Sequence, residues 1–243
     1  MKKFLSLVMA VLLCGNAMAL DYEPESGLTW QGFAGMTVSN LKGVDMNAKI
    51  GVTFGVKAEF MLPNLYGTYI NAGLDWTQKG ARITEFDPTV GAAGSDVTWK
   101  MQAHYIELPI HVGYRYNINE QWGVYADLGP YFAFGVTGKY KVKYEDDLIP
   151  DQSEMLFGKH SGQLMAGTAA LDNIRAIQRF DCGFGFRIGA EYNNQYSLNF
   201  SYDWGFTDMY LDKYRTAYKT NIGGFGLNKL KNRNMTLTFG YRF

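Results

Sequence analysis

Ionisable residues recur at every second position in several short segments of this chain. Lys57 and Glu59 are two residues apart, and Asp181, Arg187 and Glu191 are separated by even intervals. Side chains of a β-strand alternate between its two faces, so each such set would share one face. Charges removed from water together need oppositely charged partners, so the pattern predicts a network of ion pairs. The cations Lys57, Arg115, Arg187 and Arg242 are expected to pair with the carboxylates Glu59, Glu107, Asp127, Asp181 and Glu191, and Lys49, Asp75 and Asp203 share the same face.

Three other residues are of types that catalyse acyl transfer. His104, His160 and Ser161 could act as base and nucleophile if an acidic residue oriented the imidazole. No recurrent spacing joins them to such a residue, so a lipid-modifying enzyme is the weaker interpretation. We expect the protein not to be an enzyme, and the sequence contains no cofactor motif.

An acidic segment is the remaining candidate for a binding site. Its residues Glu145, Asp146, Asp147 and Asp151 lack the interleaved spacing and the turn glycine of a calcium-binding loop. We therefore expect a solvated loop and no bound metal. The formal net charge of +0 gives no indication of nucleic-acid binding.

Eight segments alternate apolar and polar residues with the two-residue period of a β-strand. The clearest of these segments is 48–62, in which the even positions are apolar and the odd positions include two lysines and a glutamate. Pro109 and Pro130 fall inside two of the segments, where each lacks the N–H that a neighbouring strand would bind, so we expect a bulge or a local gap there. The predicted strands are 28–39, 48–61, 66–78, 99–116, 122–142, 177–192, 196–208 and 234–243.

The connections between these strands alternate in length. Short turns at one end and long loops at the other are typical of an up-and-down barrel in an outer membrane. The pattern predicts an all-β fold, an eight-stranded antiparallel transmembrane β-barrel with short periplasmic turns and long extracellular loops. The short connections are 62–65, 117–121 and 193–195, the long ones are 79–98, 143–176 and 209–233, and 40–47 is intermediate.

The apolar face of the predicted strands carries no charge across the spanning zones, for example from Ile50 to Phe60. One Arg or Lys facing lipid at mid-membrane costs about 2–4 kcal/mol, so lipid contact requires such a face. Aromatic residues gather near both strand ends, with Trp122 and Tyr192 at one and Trp76 and Trp204 at the other, as in interfacial belts. A soluble sandwich with a solvated charged face is the alternative, and it accounts less well for the aromatic residues.

The N-terminus resembles a cleaved secretory signal peptide. Lys2 and Lys3 precede the apolar run from Phe4 to Leu13, which is followed by the small-residue site Ala17-Met18-Ala19. We therefore expect a signal peptide over 1–19 and a single barrel domain over 20–243. A lipoprotein signal ending at Cys14 is disfavoured by the bulky Leu13. Cleavage would leave Cys182 as the one cysteine, so we expect no intramolecular disulfide.

The C-terminal segment alternates into a terminal aromatic residue. Phe239, Tyr241 and Phe243 are predicted to point outward, with Gly240 and Arg242 pointing inward. This arrangement resembles the insertion signal that the barrel-assembly machinery of Gram-negative bacteria reads. The segment would also close the barrel, and the two roles are compatible.

Several segments of the chain resemble one known family. They are Tyr105-Ile106-Glu107-Leu108-Pro109-Ile110, Leu128-Gly129-Pro130-Tyr131, Phe180-Asp181-Cys182-Gly183-Phe184-Gly185 and the closing run from Leu237 to Phe243. In these segments the chain is similar to the PorT-like outer-membrane β-barrel proteins of Bacteroidota. The resemblance implies an eight-stranded barrel in the outer membrane of a Gram-negative bacterium, and some relatives take part in protein secretion or gliding. It supplies no catalytic motif.

The interior of an eight-stranded barrel is nearly filled by side chains. We therefore expect a plugged lumen and a structural or interaction role through the extracellular loops, with a secretion or envelope protein as one candidate partner. The alternative, which depends on the glycines of the inward face, is a small channel or transporter for small or hydrophobic molecules. We expect outer-membrane lipids as partners. The cations of the last loop could either bind the phosphates of lipopolysaccharide or be solvated as in any exposed loop, and the sequence leaves both open; they are Lys213, Arg215, Lys219, Lys229, Lys231 and Arg233.

Overall fold

The computed structural model describes residues 27–43, 46–63, 65–88, 94–145, 148–222 and 227–243. These residues contain nine β-strands, two short α-helices and a single 3₁₀ turn at Ala169–Leu171. The predicted signal peptide, 1–19, lies outside these residues. None of the described helices is long and apolar enough to cross a membrane. The strands are β1 (Leu28–Lys42), β2 (Asn47–Met61), β3 (Thr68–Asp87), β4 (Ser95–Asn117), β5 (Trp122–Tyr144), β6 (Gln152–Met155), β7 (Phe180–Tyr192), β8 (Tyr196–Gly205) and β9 (Lys231–Arg242), and the helices are α1 (Ser161–Ala166) and α2 (Asp212–Ile222).

Eight of these strands close into a ring. Each pairs antiparallel with the next along the chain, and β1 pairs with β9 to complete the circle. The long strand β5 pairs with β4 along most of its length, and with β7 from Trp122 to Phe134. The short strand β6 pairs with the outer end of β5, from Lys139 to Val142, and is not part of the ring. The predicted eight-stranded up-and-down barrel is therefore confirmed.

The two faces of the strands separate as the alternation predicts. On β2, the outward Phe54 is 51% exposed, whereas the inward Lys57 and Glu59 are 3% and 2% exposed. A face of exposed apolar side chains around the ring, with charges inside, is the distribution that lipid on the outside requires.

The segment 79–98 is largely a β-hairpin, so the prediction of a long loop there was wrong. Strand β3 continues to Asp87, and β4 already begins at Ser95. Beyond the apolar band the polarity of the two faces is exchanged, because the inward Ala81 and Met101 are apolar and buried while the outward face carries Arg82. This part of the hairpin therefore has water outside and an apolar cap inside, and a search for apolar residues on the outward face misses it.

The two prolines inside strands are accommodated by gaps in pairing and not by bulges. Paired residues of β4 and β5 are interrupted between Pro109 and Val112, and the register is the same on both sides. The register shift lies higher, where His104 pairs with Thr137 and Tyr105 with Gly135. Loss of the proline N–H therefore weakens the ladder locally without changing which residues face each other.

Candidate functional site

The periplasmic end of the lumen holds a closed group of two arginines and two glutamates. Arg115 on β4 lies 2.6 Å from Glu59 on β2 and 3.4 Å from Glu191 on β7. Arg242 on β9 lies 3.2 Å from the same Glu59 and 2.9 Å from the same Glu191. Each charge thus has two partners of opposite sign, which is the arrangement that buried charges need. We call these four residues the lower cluster.

Aromatic rings flank the lower cluster. The guanidinium carbon of Arg115 lies 5.3 Å from the centroid of the Tyr69 ring and 5.6 Å from that of Tyr125. Such cation–π contacts add to the electrostatic stabilisation of a desolvated cation. The ammonium of Lys57 lies 5.4 Å from the centroid of the Tyr125 ring. In the described part of the chain Lys57 forms no ion pair, so the expected pairing of this cation with a carboxylate was wrong.

Asp127 on β5 is the centre of the middle layer. It accepts a hydrogen bond of 2.9 Å from the hydroxyl of Tyr69, and its other oxygen lies 2.6 Å from Nδ1 of His111. Arg187 on β7 lies 3.9 Å from the same carboxylate. The layer therefore joins the side chains of four neighbouring strands, β3, β4, β5 and β7.

The upper layer is organised around Lys79 on β3, which is one of the largest fully buried side chains. Its ammonium forms an ion pair with Glu107 and lies 3.7 Å from Asp181. It also lies 4.8 Å from the centroid of the Tyr131 ring. Asn232 donates a hydrogen bond of 2.7 Å to Asp181, so β9 takes part as well. Lys79 was missed by sequence reasoning because it was assigned to a loop.

The nine residues expected to form the charge network all lie on the inward face, in these three layers. The lower cluster contains four of them, the middle layer contains Lys57, Asp127 and Arg187, and the upper layer contains Glu107 and Asp181. A cavity of about 30 Å³ remains between the middle and upper layers, with Asp75, Arg187 and Asp203 among its walls. A space of this size accommodates about one or two water molecules.

An apolar cap closes the extracellular mouth above the upper layer. The β5–β7 connection contributes Leu156 and Phe157, and the β8–β9 connection contributes Met209 and Tyr214, all of them buried. The Phe157 ring packs edge-on against Tyr105, with centroids 6.2 Å apart. Burial of these side chains stabilises the connections on the barrel mouth through the hydrophobic effect.

Gly135 on β5 provides the space for Phe157. A Cβ atom at this position would lie 2.3 Å from the Phe157 ring. Arg179 also stabilises this part of β5. It donates hydrogen bonds of 2.7 and 2.8 Å to the carbonyls of Gly135 and Val136. Its guanidinium carbon lies 5.0 Å from the centroid of the Phe157 ring.

The residues considered for acyl transfer do not form a nucleophile–base pair in the described part of the chain. Ser161 is fully buried, and its hydroxyl donates to the carbonyl of Gly158 and accepts from the N–H of Ala176. His160 lies 2.6 Å from Asp172, whereas His104 packs against Trp76 on the outer wall. That the protein is not an enzyme stays a prediction. In the acidic segment, Asp151 pairs with Lys143 at 3.1 Å, and Asp146 and Asp147 lie outside the described residues.

A family model described as the outer membrane protein beta-barrel domain matches residues 17–211. The chain belongs to this family. The match agrees with the closed ring, the apolar outer face and the charged interior of this outer-membrane barrel. Among curated protein sequences, none matches it.

Solved outer-membrane barrels are similar to it at low identity. Ail of Yersinia pestis is 14% identical with a TM-score of 0.35, and the alignment covers 88% of this chain and 99% of that one. OprG of Pseudomonas aeruginosa is 11% identical with a TM-score of 0.44, over 90% of this chain and 96% of that one. Neisserial surface protein A is 10% identical with a TM-score of 0.35, over 91% of this chain and 100% of that one.

Proposed function

We propose that this protein is a closed outer-membrane barrel whose extracellular surface serves a structural or interaction role. The observation that carries the proposal is the filling of the lumen by three charged layers and an apolar cap. Between them remains a cavity of about 30 Å³, which is too small to be a channel.

The glycines of the inward face support closure and not a pore. Glycine could leave an open passage, but here tyrosine rings fill the space beside it. A Cβ atom at Gly113 would lie 2.5 Å from Tyr69, and one at Gly189 would lie 2.5 Å from Tyr125. At these two positions glycine makes room for a ring and does not leave an open passage, which argues against the alternative of a channel or transporter.

An extracellular cleft supports an interaction role. It has a volume of about 740 Å³ and lies between the outer ends of β4 and β5 and helix α1, with Trp99, Tyr144 and Leu164 in its walls. Binding sites are commonly formed by loops held on a rigid scaffold, and the barrel is such a scaffold. An envelope or secretion protein is the partner that the PorT-like resemblance favours.

Conductance in planar bilayers tests closure. We expect no stable current steps from the purified, folded wild-type protein. The variant Tyr125→Ala/Tyr131→Ala, which removes two rings from the lumen, serves as the open control once its folding has been shown by heat-modifiable migration. Stable steps from the wild type, of the same size as those of this variant, would contradict the proposal.

Photocrosslinking in intact cells tests the interaction role. A photoreactive residue at Met165, beside the cleft, is expected to yield a protein adduct. The same residue at Leu198, which is exposed on the lipid face, is the matched control and should yield none. Equal labelling at the two positions would argue against a partner at the cleft.

A further inference from the structure

Cations form a continuous group on the outer wall of the barrel, above the apolar band. Arg82 on β3, Lys100 on β4 and Lys141 on β5 are direct neighbours across three strands. Lys139 lies one outward position below Lys141. The side chain of Lys49, which was expected on the inward face, lies on the outer wall instead and bonds Gln102. We call Lys49, Arg82, Lys100, Lys139 and Lys141 the basic wall.

The charges of the basic wall are not balanced from within the protein. Across the described ranges, none of its five residues forms an ion pair, and the neighbouring Lys143 is paired with Asp151 at 3.1 Å. Like charges directly opposite each other on adjacent strands are destabilising. Partial burial, followed by repulsion from Lys100 and Lys141, lowers the pKa of Lys49 from its ordinary value. The wall therefore presents a concentrated positive charge, which a bound anion would neutralise.

The height of the basic wall corresponds to the headgroup layer of the outer leaflet. Tyr116 and Ile106 are ten residues apart on the outward face of β4, which is about 25 Å along the membrane normal at a tilt of about 40°. This distance matches the apolar band of an outer-membrane barrel. Lys100 lies a further six residues along the strand, about 15 Å higher. Trp76 and His104, with ring centroids 4.8 Å apart, lie between the apolar band and the cations.

The basic wall also borders a broad depression of about 810 Å³ on the outer surface, lined by all five of its residues. Amide and hydroxyl groups of Gln102 and Thr137 lie among the cations. Lys and Arg bind phosphate oxygens through charge-assisted hydrogen bonds, and polar groups beside them supply further donors.

We propose that the basic wall binds the phosphate groups of a glycolipid of the outer leaflet. This inference goes beyond the proposed function, because an open barrel would carry the same surface. The proposal places the contact with lipopolysaccharide at the basic wall and not at the last loop. Two cations of that loop already have partners within the protein. Arg215 is paired with Asp208 at 2.6 Å, and Arg233 donates hydrogen bonds to the carbonyls of Gly205 and Asn232.

The direct test is a titration of the delipidated, folded protein with diphosphorylated lipid A in zwitterionic detergent, followed by native mass spectrometry. The variant Lys100→Gln/Lys139→Gln/Lys141→Gln is expected to bind about 100-fold more weakly than the wild type, from the usual contribution of each lysine near an anionic surface. The variant Lys213→Gln/Lys219→Gln/Lys229→Gln removes the same charge from exposed lysines of the last connection and is expected to keep the wild-type affinity.

Two further ligands identify what is bound. Lipid A stripped of its phosphates should bind the wild type and the wall variant equally weakly. Heparin, a sulfated polysaccharide, should bind the wild type more weakly than lipid A does. Equal affinity of the wall variant and the wild type for diphosphorylated lipid A would overturn the proposal, and so would tighter binding of heparin than of lipid A.

A stability measurement gives an independent test, because the proposal predicts opposite orders of the two unfolding temperatures without and with glycolipid. Without glycolipid, Lys100→Gln removes repulsion between neighbouring cations, so the unfolding temperature should rise above that of the wild type. With diphosphorylated lipid A, the wild type should gain more than the variant, and the order should reverse. An unfolding temperature of the variant that is lower under both conditions would contradict the proposed role.

Discussion

Arg115 and Glu59 form an ion pair of 2.6 Å although their strands, β4 and β2, are separated in the wall by β3. The pair can form because the curvature of the closed ring turns both side chains toward the same interior. The second glutamate of the cluster, Glu191, reaches Arg115 from β7, which is separated from β4 by β5 alone. The lower cluster therefore ties together strands that share no backbone hydrogen bonds, and its contribution depends on closure of the barrel.

Glu59→Gln should destabilise the barrel strongly. Glu59 pairs with both Arg115 and Arg242, so its neutralisation leaves two buried guanidinium groups with only Glu191. Breaking a buried ion pair by removing one partner costs about 3–5 kcal/mol. Urea unfolding in lipid vesicles measures the loss. Glu120→Gln, in an exposed turn, is the matched control, and equal stability of the two variants would show that the lower cluster contributes nothing.

Lys79→Met should have an effect of similar size, about 3–5 kcal/mol, because it leaves Glu107 and Asp181 buried near each other without their cation. Addition of Glu107→Leu should recover part of the loss, since the second substitution removes an unpaired charge. A double-mutant cycle from urea unfolding gives the coupling. Strictly additive losses of unfolding free energy would show that Lys79 and Glu107 do not interact. Lys213→Met, an exposed lysine on α2, serves as the control.

The sequence was sufficient to predict the closed ring of strands and their inward and outward faces, because apolar and polar residues alternate strictly in β2 and in the other spanning segments. It was insufficient above the membrane, where the inward face becomes apolar, with Ala81 and Met101, and the outward face becomes polar. Lys79 was missed because the predicted strand ended at residue 78, although β3 continues to Asp87. The sequence also could not show that Arg115 pairs with Glu191, because which inward side chains meet depends on the tilt and stagger of the strands.

Phe157→Ala should loosen the cap without opening the ring. The ring of Phe157 fills the space above Gly135 and packs against Tyr105, so its loss leaves a cavity at the barrel mouth. Such truncations cost about 3–5 kcal/mol. Hydrogen exchange should accelerate in the β5–β7 connection while the amides of β2 remain protected. Uniform acceleration across all strands would show that the cap and the ring unfold as one unit.

The carboxyl group of Asp172 should titrate below the ordinary range of an aspartate. The hydrogen bond from the side chain of His160, with help from the backbone at Asn173, lowers its pKa. A carboxylate with a lowered pKa stabilises the folded loop above the ordinary pKa of about 3.9, and this contribution is lost as the pH falls through the lowered value. Carbon NMR of the protein in micelles measures the midpoint. His160→Ala should raise it, and an unchanged midpoint would exclude the hydrogen bond as the cause.

Phe243→Ala should impair insertion in cells more than it impairs folding in detergent. Phe239, Tyr241 and Phe243 all lie exposed on the outward face of the closing strand or just after it, where a partner could read them before the ring closes. Within the folded barrel Phe243 adds little, because its side chain is 73% exposed. Its N–H, which donates a 3.0 Å hydrogen bond to Trp30, is kept in the variant. The folded fraction in outer membranes should therefore fall, while refolding of purified protein in detergent should match the wild type.

Leu237→Ala, on the same face of β9, is the control for loss of lipid contact. If both substitutions reduce insertion equally, general lipid contact and not a terminal signal accounts for the effect.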